Sequence, residues 1–497
     1  MTTSIEALEP KSVWNFFAGI AAVPRPSKHE EKIRVHTRKV AEELGYVVRE
    51  DRVGNMVIEA PASPGCEMAP ITVLQGHLDM VCEKNADTEH DFDNDGIRLI
   101  VDKDPKTGEQ VVRADGTTLG ADNGIGLAMA FAAASSPEVK HGPLEILCTI
   151  DEEMGMTGAK ALVSDFFKGK KLLNLDSEDD TMIYIGCAGG GDATIFWDFD
   201  MQPIAKAGEV IQVKVSGLRG GHSGGNIHEN RGNANKVLVQ TLMTAGVDAL
   251  QIAMIAGGSK RNALAREAGA IIVGPAGALL KLQKNAEVVR AAAAHQSAEP
   301  NLAISVKPIK REEAPVALST TDTLSVLRAL TALPHGVLEM HQQVAGLVQT
   351  SNNVATIAME KSADGSQAHI VVGNLCRSSM AGKVEATWGQ LAAVGHLAGA
   401  TVETGSQYPG WDPDVDSPLL ATCQRIYEEL FGAKPEVAAI HAGLECGIIG
   451  QRMGKLDMVS FGPRITGAHS PDEQTYPESV QKSYKYLCAV LAELAEG

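Results

Sequence analysis

Leu144-Glu145-Ile146-Leu147-Cys148-Thr149-Ile150-Asp151-Glu152-Glu153 reads as a buried strand that runs straight into three acidic residues. A mostly apolar run of this length suits a strand covered on both faces, as in a parallel sheet. Three carboxyl groups at its tip repel one another unless a cation or solvent offsets them. The plain alternative is a solvated acidic loop. If a cation is held there, Glu153 is the ligand, and Glu152, facing the other way, is left as a general base.

The theme recurs along the chain. Ile71-Thr72-Val73-Leu74-Gln75 leads into Gly76-His77-Leu78-Asp79. His77 and Asp79, two apart in extended chain, leave the strand tip on one side. Asp79 is placed to take the second ring nitrogen of a metal-bound His77. Leu172-Leu173-Asn174-Leu175 ends in Asp176. Asp122 sits in Thr118-Leu119-Gly120-Ala121-Asp122-Asn123-Gly124-Ile125-Gly126, before a helical run at 127–135, with Asp115-Gly116 as a turn upstream. Glycines on both sides let the backbone take positive-φ conformations near an ion, although an isolated Asp there also suits a helix cap. His469 lies in Gly467-Ala468-His469-Ser470-Pro471-Asp472-Glu473, after a strand at 456–461. Each has a bland reading alone. Together they mark carboxyl ends of parallel strands, where open α/β sheets place their sites. Two histidines and three carboxylates suit a pair of zinc-like divalent ions sharing one carboxylate, which is hydrolytic chemistry.

The chain has 497 residues, enough for two or more domains, with 44% hydrophobic and 21% charged residues. No apolar run reaches transmembrane length, and residues 1–11, with Glu6 and Glu9, lack the apolar core of a secretory signal. Eight scattered cysteines without a CxxC pair read as reduced core residues of a cytoplasmic protein. A net charge of −18 disfavours nucleic acid and anionic membranes as partners.

Ser27-Lys28-His29-Glu30 carries the signal of a capping box for a helix that runs to about Leu44 and ends at Gly45. Strands and helices then alternate to Asp176, predicting a mostly parallel sheet flanked by helices. The style changes at Cys187-Ala188-Gly189-Gly190-Gly191. Strands such as 210–216 now alternate in period two, as in an antiparallel sheet with one wet face, with helices at 231–245, 278–295 and 322–333 over the other. From Gly405 the α/β style returns, with a helix at 418–431, a strand at 436–440 and a last helix from about Ser479. The expected architecture is one α/β catalytic domain built from residues 1–187 and 405–497, with an α+β domain at 188–404 inserted in it.

The insert has its own polar cluster. His222, between Gly220-Gly221 and Ser223-Gly224-Gly225, is approachable and suits a donor to a transition-state oxygen; a hairpin turn is the alternative. Asn262 and Arg377 are further candidates. Arg377 follows an apolar strand and could clamp a carboxylate bidentately or form a surface ion pair.

The order His77-x-Asp79, Asp122, Glu152-Glu153, Asp176, His469 resembles the two-zinc exopeptidase family of carboxypeptidases, aminoacylases and dipeptidases. The stretches Gly76-His77-Leu78-Asp79-Met80-Val81, Gly221-His222-Ser223-Gly224 and His441-Ala442-Gly443-Leu444-Glu445-Cys446-Gly447 are similar to one branch, the cytosolic aminoacyl-histidine (Xaa-His) dipeptidases. The resemblance implies that His77 and Asp176 bind one ion, Glu153 and His469 the other, and Asp122 bridges. The ions would be zinc, with cobalt or manganese as alternatives. It also implies Glu152 as base, His222 as a donor to the reacting carbonyl, Asn262 and Arg377 on the substrate's C-terminal end, and an inserted domain serving as lid and homodimer interface. The expected reaction is hydrolysis of dipeptides with C-terminal histidine by a metal-bridging water. A tripeptidase, an N-acyl amino acid hydrolase or a non-catalytic peptide binder stays open, as does the role of Glu445.

Overall fold

The computed structural model describes residues 5–204, 208–247, 249–296, 299–344, 346–441 and 443–496. Residues 1–4 of the N-terminal segment and Ala442 of the 441–447 stretch lie outside them. The chain divides into two compact units. One comprises Met1–Gly186, Pro413–Ala439 and Leu444–Gly497; the other comprises Cys187–Asp412 and Ile440–Gly443.

The first unit is built on a sheet whose strands, in spatial order, are Val47–Glu50, Met56–Ala60, Leu144–Thr149, Thr72–His77, Lys171–Asn174, Asp457–Ser460, Met182–Cys187 and Glu436–Ile440. The four central strands are parallel, and antiparallel pairs flank them at Met56–Ala60 and Met182–Cys187. Thr72–His77 and Leu144–Thr149 are buried at every residue, which is why their sequences run apolar instead of alternating. Helix Ala121–Ser135 is buried nearly all round, so residues 124–134 are uniformly small or apolar. Lys11–Ala21 packs Val13, Trp14 and Phe17 into the same core, and Pro477–Leu494 adds Leu487, Val490 and Leu491. Each such large side chain contributes about 1.5–3 kcal/mol by leaving water.

A small antiparallel sheet, ordered Ile465–Thr466, Gln474–Thr475, Gln110–Ala114 and Leu99–Lys103, fixes both ends of the loop that carries His469. The capping box expected at Ser27 and Glu30 does not form. Helix Glu31–Glu43 starts without a side-chain cap. Ser27 Oγ instead donates to Asp79 Oδ2 at 2.8 Å, and Glu30 Oε1 accepts from the backbone of Lys28 at 2.7 Å and of Asp151 at 3.0 Å. Tertiary partners at the strand tips displace the local cap.

The second unit is an antiparallel sheet in the order Ala303–Pro308, Glu209–Ser216, Ala268–Gly274, Gln251–Gly257, Val348–Lys361, Gln367–Ser378, Gly189–Asp200 and Thr401–Tyr408, with Gly336–Met340 beside Val348–Lys361. Helices Ala234–Met243, Ala278–Gln296, Thr320–Ala332 and Lys383–Leu397 supply its helical layer; the last carried no signal read from the sequence. The α/β style expected to resume at 405 begins later, because Thr401–Tyr408 pairs with Gly189–Asp200 and stays with this sheet.

Candidate metal centre

His77 closes its strand with Nε2 3.1 Å from Asp122 Oδ1 and 3.3 Å from Asp176 Oδ1. His469 Nε2 lies 3.2 Å from Asp122 Oδ2 and 3.1 Å from Glu153 Oε2. The two oxygens of Asp122 thus face different imidazoles, and each imidazole has a further carboxylate of its own. The five residues group as two overlapping triads, His77–Asp122–Asp176 and Asp122–Glu153–His469, that share Asp122.

This donor set fits divalent ions. A tetrahedral ion with ligands at roughly 2.0–2.1 Å sets neighbouring donor atoms about 3.3 Å apart, close to the spacings here. Glu153 Oε1 and Asp176 Oδ1 are buried without a hydrogen-bond partner among the described residues. The field of the site favours positive charge. Hydrogen bonds to Asp122 and Glu153 carry the His469 imidazole up to about 11. Burial disfavours a charged His77, yet Asp176, Asp122 and Asp79 raise it well above the usual histidine range. Burial pushes Asp176 up to about 7 against the pull of His77. Asp122 is equally buried, but donation from both imidazoles holds it below the ordinary carboxylate range.

Asp79 organises the turn beside these ligands. Its Oδ1 accepts from the Glu152 backbone at 3.0 Å and its Oδ2 from that of Glu153 at 3.2 Å. His77 Nδ1 is 3.1 Å from the Asp79 carbonyl oxygen and 3.4 Å from Oδ1, so the backbone shares the orienting role expected of the carboxylate. Burial works against a charged Asp79, but His77, Ser27 and the turn lower it to about 2. The Glu152 carboxylate accepts no hydrogen bond among the described residues, and its oxygen falls within 4.8 Å of ligand atoms of His77 and Glu153. Burial, with Asp176, Glu445 and Glu153 adding and His77 opposing, raises it well above the usual carboxylate range.

Several supporting residues escaped the sequence reading. Buried Glu473 accepts from the backbone of Leu119 at 2.8 Å and Gly120 at 3.0 Å on one oxygen, and of Ala121 at 2.8 Å and Asp122 at 3.3 Å on the other. It lies in the quoted 467–473 stretch, but nothing local marks its distant partners. Arg25 donates to the carbonyls of Leu78 at 3.0 Å, Asp79 at 2.7 Å and Gly120, joining the two loops. Asp122 is not a helix cap: Gly120 holds the N-cap position at φ 68°, and Asp122 is non-helical. Among the flanking glycines Gly120 alone has positive φ; Gly124 and Gly126 lie within the helix, where a Cβ on Gly126 would meet the Leu175 carbonyl at 2.3 Å.

Beneath the ligands runs a chain of buried polar side chains. Glu445 Oε2 accepts from Gln75 Nε2 at 2.7 Å and Thr149 Oγ1 at 2.5 Å. Asn174 Nδ2 donates to Gln75 Oε1 at 2.5 Å, and Ser460 Oγ donates to Asn174 Oδ1. These side chains cross the four parallel strands, with Gln75 and Asn174 each two residues before a ligand. Burial pushes the Glu445 carboxyl up to about 8.

In the second unit, His222 Nδ1 accepts from the backbone of Gly224 at 3.3 Å and Gly225 at 3.0 Å, which places the ring proton on Nε2. Burial, then Arg377, lowers this imidazole to about 4, so it is neutral at neutral pH. Arg377 Nη2 stands 3.4 Å from that Nε2. Two donors facing at this distance call for a shared acceptor. Arg377 is 5% exposed, with no carboxylate within 4.0 Å among the described residues, so the surface ion pair is excluded. Asn262 is exposed and joins the cluster through its backbone, where its carbonyl accepts from Ser223 at 2.8 Å.

Known proteins carry the same architecture. The profile of peptidase family M20/M25/M40 matches residues 73–493. The cytosol non-specific dipeptidase of Escherichia coli (strain K12) is 40% identical over 99% of this chain and 99% of its own. The crystal structure of aminoacylhistidine dipeptidase from Vibrio alginolyticus superposes with a TM-score of 0.89 at 40% identity, covering 99% of this chain and 98% of that one. Aminopeptidase PepT from Bacillus cereus ATCC 10987 shares the fold at a TM-score of 0.63 and 18% identity, over 98% of this chain and 99% of its own. With that match spanning both units and the triads in place, the chain belongs to peptidase family M20/M25/M40.

Proposed function

We propose that this chain hydrolyses dipeptides, with Xaa-His dipeptides the preferred class, and that it uses two divalent ions, zinc foremost. The observation that carries the reading is the division of the Asp122 carboxylate between His77 and His469, each beside its own second carboxylate. His77 and Asp176 would hold one ion, Glu153 and His469 the other, with Asp122 shared. Such ions supply Lewis acidity to a water and to the scissile carbonyl.

The remaining work falls to the chain. Glu152, free of other hydrogen-bond partners among the described residues and close to the ligand atoms of His77 and Glu153, takes the proton of the attacking water at its carboxylate and returns it to the leaving amine nitrogen. Asp79 holds Glu152 and Glu153 through their backbone N–H groups. His222 donates its Nε2 proton to the developing oxyanion. Arg377, together with Asn262, takes the terminal carboxylate of the substrate. The second unit also serves as a homodimer interface, which a molar mass of twice 52.4 kDa by light scattering would support. We place the protein in the cytosol, the compartment named for the E. coli relative; no helix among the described residues is long and apolar enough to cross a membrane.

Glu152→Gln tests the reading. It should keep the metal content and lower kcat by about 10²–10⁴-fold on Xaa-His dipeptides; near-normal turnover would overturn Glu152 as base. A panel of dipeptides, tripeptides and acetylated amino acids separates the dipeptidase from its neighbours in chemistry.

A further inference from the structure

One row of side chains crosses the second unit's sheet. Ser351 pairs in register with Arg377, Arg377 with Gly190, and Gly190 with Tyr408. Residues in such a row share one face of the sheet. Gly190 leaves a gap in it: a Cβ there would stand 2.5 Å from Tyr408 Oη and 2.6 Å from its Cζ. The phenol lies across that gap and accepts from Arg377 Nη1 at 2.8 Å.

Accepting leaves the hydroxyl proton of Tyr408 unspent, and it meets no other hydrogen-bond partner among the described residues. Burial keeps the phenol protonated. Beside it, buried Arg377 has an unpartnered Nε, and the Nε2 proton of His222 points to the same guanidinium. A buried cation with no carboxylate within 4.0 Å among the described residues is costly, and Arg377 Nε, the Tyr408 hydroxyl proton and the His222 Nε2 proton, each without an acceptor, compound the cost. An arriving anion with two oxygens removes both.

We propose that Tyr408 is a substrate-binding residue that donates its hydroxyl proton to the terminal carboxylate held by Arg377. This rests on the assignment of Arg377 above and adds the residue that would share the carboxylate with it. Planarity and the pairing of one Arg with one hydroxyl suit a carboxylate.

The test compares kcat/KM for a dipeptide and for its C-terminal amide in the holoenzyme and in Tyr408→Phe. The wild type should favour the free acid, and Tyr408→Phe should reduce the acid-to-amide ratio about tenfold, chiefly through KM for the acid. Calorimetric binding of a free amino acid product against its amide gives a readout independent of turnover and should lose the same discrimination. If acid and amide fall together and the ratio is kept, Tyr408 is only structural and the proposal is overturned. If the wild type itself does not distinguish acid from amide, the Arg377 assignment fails first and takes this one with it.

Discussion

His469 Nε2 lies 3.1 Å from Glu153 Oε2, although most of the chain separates the two residues. The meeting is arranged by the ribbon of Ile465–Thr466 and Gln474–Thr475, which pins the loop against Gln110–Ala114, and by Glu473, which grips the 119–122 backbone. The same imidazole reaches Asp122, so His469 completes one triad and leaves the other untouched.

His469→Ala should therefore lower the bound metal from two ions to one per chain, with His77, Asp122 and Asp176 retained. Elemental analysis of the purified variant reads this directly. Retention of two ions would show that His469 is not a ligand.

Glu473→Ala removes the acceptor of four backbone N–H groups while leaving every ligand in place. Metal affinity should fall by about 10–100-fold, the usual effect of losing a group that positions ligands. Equilibrium dialysis against a zinc buffer checks it, and Glu473→Gln should recover part of the loss.

Glu445 sets a pH dependence with a definite sign. Its folded-state carboxyl is raised from about 4.5 to about 8 by burial, so the native state binds the proton more tightly than the unfolded chain. The stability this proton provides is present below the unfolded value and is lost as pH rises through 8. The urea midpoint of chelated protein should fall between pH 5 and 8, and the fall should be shallower in Glu445→Gln, which still accepts from Gln75 and Thr149. Glu445→Leu leaves both donors unpaired and should cost about 2–4 kcal/mol.

Chelation should abolish turnover and lower Tm, because the ligand cage then holds mutually repelling carboxylates. Adding zinc at a thousandfold excess over Kd should restore about 4 kcal/mol. Cobalt and manganese in the same titration rank the ions, with recovered activity as the second readout.

Much of the first unit was legible locally. The strands that lead into His77, Glu153 and Asp176 announce themselves as apolar runs followed closely by a ligand type, and helix Pro418–Phe431 follows its serine cap and N-terminal proline. Arg25, Glu473 and Tyr408 were not legible, since each acts on a partner far away in sequence and none stands in a local pattern. Ser27 and Glu30 misled for the same reason: their spacing matches a cap, but Asp79 and the Asp151 backbone offer them buried partners.

The sequence by itself determined the kinds of groups available and the strand tips on which they sit, because periodicity and residue chemistry are local properties. Only the tertiary structure decided that Asp122 divides its oxygens between two imidazoles, that Glu473 holds the Asp122 backbone, and that Gly190 lets Tyr408 reach Arg377. Those facts depend on register and loop closure between distant segments, which no short stretch of chain encodes.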